Sequence, residues 1–218
     1  MLYPLSYGGG DRSDARQHLA KAVIVLDNLT RVTATNTVVL VEGASDQNAV
    51  EALAGRVGRN LTDEGVSVVA MGGAAGFGDH LDDLHDHGGF VVRIAGLCDE
   101  AETSDLRRGL ERVGFGPKLS RLDMEGLGFF FCSVDLEDEL IRALGVSAVE
   151  EVFDDQGELR GFRVFQNQPA WRGRALEEQM HRFIGIRSGR KVRYGRLLVD
   201  ALDLDQVPEP LTQLLDHI

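Results

Sequence analysis

Thr37-Val38-Val39-Leu40-Val41-Glu42-Gly43-Ala44-Ser45-Asp46 is the stretch that decides the fold. Its first five residues form a short β-branched run with no charge, which reads as a strand buried on both faces. The run stops at an acid and a glycine, and a helix is predicted over 45–57. The same alternation continues outward. Residues 66–71 read as a second strand, closed by Gly72-Gly73 and followed by a short helix over 77–85. A third strand begins at Phe90 and ends at Asp99, with a helix over 103–113 behind it. A fourth spans 128–134 and closes at Asp135, followed by a helix over 137–144. Four nearly all-apolar strands alternating with helices predict an α/β fold, a mainly parallel Rossmann-like sheet with helices on both faces. Upstream, Leu19, Ala22, Val23, Leu26 and Leu29 recur at spacings near 3 and 4, predicting a helix over 14–32 behind a glycine-rich arm. Beyond Gly145 the strands stop, and helices are predicted over 147–154, 172–184 and 192–202. The expected organisation is an arm and helix at 1–36, an α/β core at 37–145, and a helical extension at 146–218 that completes the site.

The 218 residues carry a formal charge of −12, with 43% hydrophobic and 27% charged side chains. That composition buries a core without staples and argues against disorder. No apolar run approaches the roughly 18–20 residues of a membrane span. The first residues lack the basic start and apolar stretch of a secretory signal. Cys98 and Cys132 cannot build a disulfide framework, so a reduced cytoplasmic protein is expected. The charge is unevenly spread. Residues 99–158 hold 16 acids against 6 bases, while residues 160–196 hold 10 bases against 2 acids. Either the two segments pack on each other or on a partner, or a carboxylate site stands beside a patch that grips phosphates.

Ligands of open parallel sheets bind at the carboxyl ends of the strands. Glu42, Asp99 and Asp135 end three of the four predicted strands, Asp46 lies one turn past Glu42, and Glu137 follows Asp135. Asp46 and Asp135 are also good helix caps, whereas Glu42, on a long side chain before a glycine, is not. Acids converging on one edge repel unless cations neutralise them. Glu42, Asp46 and Asp99 are therefore expected to hold a first Mg²⁺ or Mn²⁺. Asp135 and Glu137 are candidates for a second ion or for its waters.

Val38 to Asp46 resembles the first motif of the TOPRIM domain of topoisomerases, primases and certain nucleases, in the version found in OLD-family nucleases. Ile94-Ala95-Gly96-Leu97-Cys98-Asp99 resembles that family's third strand with its metal-binding acid. Asp135-Leu136-Glu137-Asp138-Glu139-Leu140 resembles the element after its next strand, and Gly189-Arg190-Lys191-Val192-Arg193-Tyr194 its late lysine-bearing segment. The resemblance implies a TOPRIM fold, a two-metal phosphodiester hydrolysis, a proton-transferring role for Glu42, and an ATPase, which here would act from a separate chain. One departure stands out. The family's second motif is Asp-x-Asp, but Asp99 is followed by Glu100 and Ala101. Either Glu102 substitutes or a second ion is weakly held.

Lys191 is one of only three lysines beside twenty arginines. A point cation on a flexible stem suits stabilisation of a phosphate transition state, which makes Lys191 the second catalytic candidate after Glu42. Arg187, Arg190, Arg193 and Arg196 are expected to hold the nucleic-acid backbone without reading sequence. The loop Gly72-Gly73-Ala74-Ala75-Gly76-Phe77-Gly78 lacks the Gly-Lys-Ser/Thr ending of an ATP loop and reads as a turn near the active edge. The leading expectation is a metal-dependent DNA nuclease of the TOPRIM type. The alternatives are a non-catalytic module that binds nucleic acid or an ATPase partner, which Ala101 and the net charge favour, and an RNA-processing nuclease.

Overall fold

The computed structural model describes residues 37–72, 76–86 and 93–218, so the predicted arm and helix of residues 1–36 lie outside the described residues. Four strands, β1 (Thr37–Val41), β2 (Val66–Ala70), β3 (Arg93–Asp99) and β4 (Phe129–Cys132), form one sheet in the order β2-β1-β3-β4. All three pairings are parallel. Helix α1 (Ala44–Arg56) follows β1 and α2 (Phe77–Asp86) follows β2. After β3 come a 3₁₀ turn at Glu100–Glu102, α3 (Thr103–Arg112) and the short α4 (Arg121–Gly126). After β4 the chain is helical: α5 (Leu136–Asp155), α6 (Leu159–Gln166), α7 (Leu176–Gly185), α8 (Ser188–Ala201) and α9 (Glu209–His217).

Strand alternation sorts the core into two layers. Val39, Val41, Ala95, Leu97, Phe130 and Cys132 face one side, packed by α1 and the helices from α5 onward. Val38, Leu40, Ile94, Cys98, Phe129 and Phe131 face the other, packed by α2, α3 and Met124 of α4. Because β1 is followed by a helix on the first face and β3 by one on the second, a crevice opens between their carboxyl ends. Open α/β sheets bind ligands at such a point.

The structure refines several expectations. The first α5 turn begins at Asp135, and at Gly145 the helix is interrupted (φ 75°, ψ 161°), a backbone that glycine adopts without strain. That break separates the two helices expected over 137–144 and 147–154. The third and fourth strands are Arg93–Asp99 and Phe129–Cys132, against predicted starts at 90 and 128; residues 87–92 lie outside the described ones. Helices α4, α6 and α9 were not foreseen. The first two are short, and α9 is held by docking: Arg59 donates to the carbonyls of Leu215 (2.5 Å) and Ile218 (2.8 Å), as Arg56 does to those of Val199 and Leu202 at the end of α8. An aromatic cluster ties α5 to α8: Phe153 packs edge-on against Phe162, Phe183 and Tyr194 at centroid distances of 5.0, 5.3 and 5.4 Å. Those contacts bring α7 and α8 to the mouth of the sheet.

Candidate metal and phosphodiester site

Glu42 and Asp99 project from the ends of neighbouring central strands. Val41 pairs with Leu97, so the residues that follow each strand meet at one edge. The carboxyls of Asp99 and of Glu102, in the turn just past β3, both stand against that of Glu42. Burial first, and then the Glu42 carboxylate, push Asp99 up to about 9 and Glu102 up to about 7. One oxygen of Glu102, Oε2, is buried with no hydrogen-bond partner. Between the two expectations for the altered Asp-x-Asp motif, the geometry favours Glu102: two residues of the 3₁₀ turn bring it back to Glu42, which Ala101 cannot reach with a methyl.

Asp46 is the third residue of α1, and its Oδ2 accepts the Gly43 N–H at 3.0 Å. This carboxylate is buried and pushed up to about 7, by burial first and then by Glu137 and Glu42, against the lowering effect of the Gly43 N–H and Lys191. It thus combines the capping role with a place beside the cluster.

A second group lies next to the first. Asp135 caps α5, its Oδ1 accepting the Asp138 N–H at 2.9 Å, while its Oδ2 lies 2.7 Å from His181 Nε2 on α7. Burial raises Asp135, but His181, the Asp138 N–H and Lys191 outweigh it and hold this carboxyl below its usual range. Asp135 in turn raises His181 above the ordinary imidazole value, against burial. Glu137 is 1% exposed. Its Oε1 accepts a short hydrogen bond from the Ser45 hydroxyl, and its Oε2 lies 3.1 Å from Lys191 Nζ. Lys191 Nζ is also 3.9 Å from Asp135 Oδ2. Burial lowers Lys191, but Glu137 and then Asp135 and Asp46 raise it well above its ordinary range, so it stays charged. A lysine in the first turn of α8 opposes the helix dipole, and these carboxylates supply the compensation.

The contact that places Lys191 is between α1 and α8. Ser45 Oγ is 3.1 Å from the Lys191 carbonyl, and Asn48 donates to the Val192 carbonyl at 3.2 Å. A Cβ on Gly195 would stand 2.4 Å from the Ser45 carbonyl oxygen, so only glycine permits this approach. His181 and Ser45 were not among the sequence candidates. A histidine between Met180 and Arg182, on a helix far along the chain, carries no local motif, and a serine after Glu-Gly reads as a helix start.

The four arginines divide. Arg190 is 11% exposed at its side chain. It donates to the Phe183 carbonyl (2.7 Å), stacks over the Phe183 ring (4.0 Å) and pairs with Glu158 (2.6 Å). Arg193 also pairs with Glu158. Arg187 is exposed, and Arg196 is exposed with an ion pair to Asp200 at 3.2 Å. Part of the basic segment therefore neutralises the acidic one, as Arg163 with Glu150 (2.6 Å) also does. Of the glycine-rich segment, residues 73–75 lie outside the described residues, and at the start of α2 Asp105 Oδ2 accepts the Gly78 N–H at 3.0 Å. Cys98 and Cys132 are both buried, and burial raises both thiols.

Among the described residues, no three His, Cys, Asp or Glu side chains form a ready-made metal cage. The chemistry of Glu42, Asp99 and Glu102 nevertheless fits a hard divalent cation. The donors are all oxygen, they crowd one another, and among the described residues none of the three is ion-paired with a basic side chain.

A family model described as "Overcoming lysogenization defect protein-like, TOPRIM domain" matches residues 35–99, the segment carrying Glu42, Asp46 and Asp99. No curated protein sequence matches the chain. Among solved structures, the C-terminal region of the Xanthomonas campestris pv. campestris OLD protein superposes with a TM-score of 0.65 at 22% identity, covering 86% of this chain and 94% of that one. The C-terminal region of the Burkholderia pseudomallei OLD protein does so with a TM-score of 0.62 at 19% identity, covering 84% and 96%. No helix among the described residues is long and apolar enough to cross a membrane. Residues 35–99 thus match the OLD-like TOPRIM family model, and the chain shares the fold of the C-terminal region of OLD proteins over most of its length.

Proposed function

We propose that the chain is a Mg²⁺- or Mn²⁺-dependent endonuclease that hydrolyses phosphodiester bonds in DNA. The observation that carries this reading is the meeting of Glu42, Asp99 and Glu102 at the switch point of the sheet, beside a lysine held charged by Glu137 and Asp135. A divalent ion bound there supplies charge neutralisation on the phosphate and an activated water. The protein's own residues do the rest. Glu42, beside Asp99 at the mouth, is the group proposed to transfer a proton. Lys191 presents a fixed positive charge toward developing charge on the phosphate. Ser45, through Glu137 and the Lys191 backbone, sets where that charge stands. Arg187 and Arg196, exposed on α8, are placed to track the backbone of a strand, while Arg190 and Arg193 brace α8 through Glu158. In domain terms, residues 37–145 form the TOPRIM core, and the helices of residues 146–218 complete its site by supplying His181 and Lys191. An ATPase is the partner that the resemblance to OLD proteins points to. Two unpaired buried cysteines fit a reducing cytoplasm.

The test is nicking of supercoiled plasmid, with a parallel single-stranded RNA substrate, in Mg²⁺ or Mn²⁺, for the wild type and Glu42→Gln. Metal-dependent nicking lost in Glu42→Gln supports the reading. Cleavage of RNA alone makes it an RNA-processing enzyme. Binding without cleavage of either under every divalent ion replaces it with the non-catalytic module that Ala101 favours.

A further inference from the structure

The two acidic groups of this site differ in one respect that bears on how many ions it takes. We infer that Lys191 and His181 stand where a second metal ion would, so that the site takes one divalent cation, held by Glu42, Asp99 and Glu102. The inference deepens the nuclease reading and rests on it for its catalytic meaning.

Three of the four carboxylate oxygens of Asp135 and Glu137 have hydrogen-bond partners in the protein, and the fourth, Glu137 Oε2, is held in an ion pair without an aligned hydrogen bond. Asp135 Oδ1 has the Asp138 N–H at 2.9 Å and Oδ2 has His181 Nε2 at 2.7 Å. Glu137 Oε1 has the Ser45 hydroxyl and Oε2 has Lys191 Nζ at 3.1 Å. An ion ligated by this pair would have to displace both side-chain bases. Glu137 is 1% exposed, which leaves no room for the waters that a Mg²⁺ ion keeps. On the other side, the position where a second Asp of an Asp-x-Asp pair would stand is Ala101, whose methyl offers no ligand. A second ion thus lacks one donor and finds two others taken. The Glu42 group is the opposite case: its acids stand against one another, and among the described residues no ion pair joins Glu42, Asp99 or Glu102 to a basic side chain. The charge that a second ion would bring is supplied instead by side chains from α7 and α8, fixed by the aromatic cluster and by the contact of Ser45 with Gly195.

Mn²⁺ titration of the full chain, read by calorimetry and by electron paramagnetic resonance, tests this. Two ions about 3.5–4 Å apart give a spin-coupled spectrum, whereas a lone ion gives an isolated six-line one. The wild type is expected to bind one ion per chain with an uncoupled spectrum, and Glu42→Gln to lose it. The double variant Lys191→Ala with His181→Ala is expected to free Glu137 and Asp135, raising the stoichiometry to two with a coupled spectrum. A coupled pair in the wild type, no bound ion in the wild type, or a folded double variant that stays at one ion overturns the inference. If the double variant does not fold, the wild-type spectrum decides by itself. Nicking assays on the same samples separate this from the nuclease reading: one uncoupled ion without cleavage sinks the reading and leaves the ion count standing.

Discussion

Gly195→Ala probes how far the site depends on the approach of α8 to α1. The added Cβ would stand 2.4 Å from the Ser45 carbonyl oxygen and 2.7 Å from its Oγ, and contacts under 3.0 Å do not persist. The carbonyl is backbone, so the two helices must part by at least about 0.6 Å. Overpacking of this kind costs about 1–3 kcal/mol. Alanine recovers about 1 kcal/mol of helix propensity over glycine. The net loss is about 0–2 kcal/mol, and at about 2–4 °C per kcal/mol for a chain of this size the melting temperature should fall by up to about 8 °C. Gly55→Ala is the matched control. It sits in α1 with nothing within 4 Å of its Cβ position, so the same propensity gain should raise the melting temperature by about 2–4 °C. Function should respond more sharply than stability. Lys191 lies one turn before Gly195, and its Nζ is 3.1 Å from Glu137. Misplacement by about 1 Å can cost about 10²-fold in rate, so single-turnover nicking by Gly195→Ala should fall about 10-fold or more. Differential scanning fluorimetry and nicking with Mn²⁺ read the two effects. A Gly195→Ala chain that gains stability as Gly55→Ala does, with unaltered nicking, would refute the close-approach argument.

Glu42→Gln and Asp99→Asn should each weaken Mn²⁺ binding while leaving the metal-free fold intact, and calorimetry showing wild-type affinity in both would remove them from the ion's ligands. Asp46, Asp99 and Glu102 bind protons more tightly folded than unfolded, so their contribution is fully present below about pH 4 and is lost as pH rises through about 7 and then about 9. With chelator present, the melting temperature should therefore decline from pH 5 to 9. Mg²⁺ or Asp99→Asn should flatten that decline, and a profile already flat in chelator contradicts the crowding of these acids. Lys191→Ala should lose about 10²-fold in single-turnover cleavage with little change of DNA affinity measured in Ca²⁺, and Lys191→Arg should recover only part of it; equal losses of binding and cleavage would make Lys191 a phosphate clamp. Neutralising Arg187 and Arg196 together should flatten the log–log salt dependence of duplex binding by up to about 2 units, at about 0.9 per phosphate. An unaltered slope places the nucleic-acid path elsewhere.

Periodicity and punctuation were enough to read the sheet, because each strand is a nearly all-apolar run and each is closed by an acid or a glycine. Parallel order and burial on both faces follow from that pattern, and so does the placing of Glu42 and Asp99 at one edge. The same local signals put Asp46 and Asp135 at helix starts, where capping and site geometry make one demand. What the sequence could not carry were pairings across the chain. Arg190 and Lys191 are adjacent cations in one helix turn, yet one is stacked on Phe183 and paired with Glu158 while the other faces Glu137 and Asp135. Charge counting cannot separate them, because which carboxylate a cation meets is set by how α8 packs on α1 and α5. His181 reaches Asp135 across 46 residues, and Ser45 reaches Glu137 across 92. Such bonds depend on the aromatic cluster and on one glycine contact that bring the helices together. The acids Glu42 and Asp99 at the sheet's edge were therefore legible from strand ends, whereas which of the neighbouring acids the protein already neutralises was decided by tertiary packing.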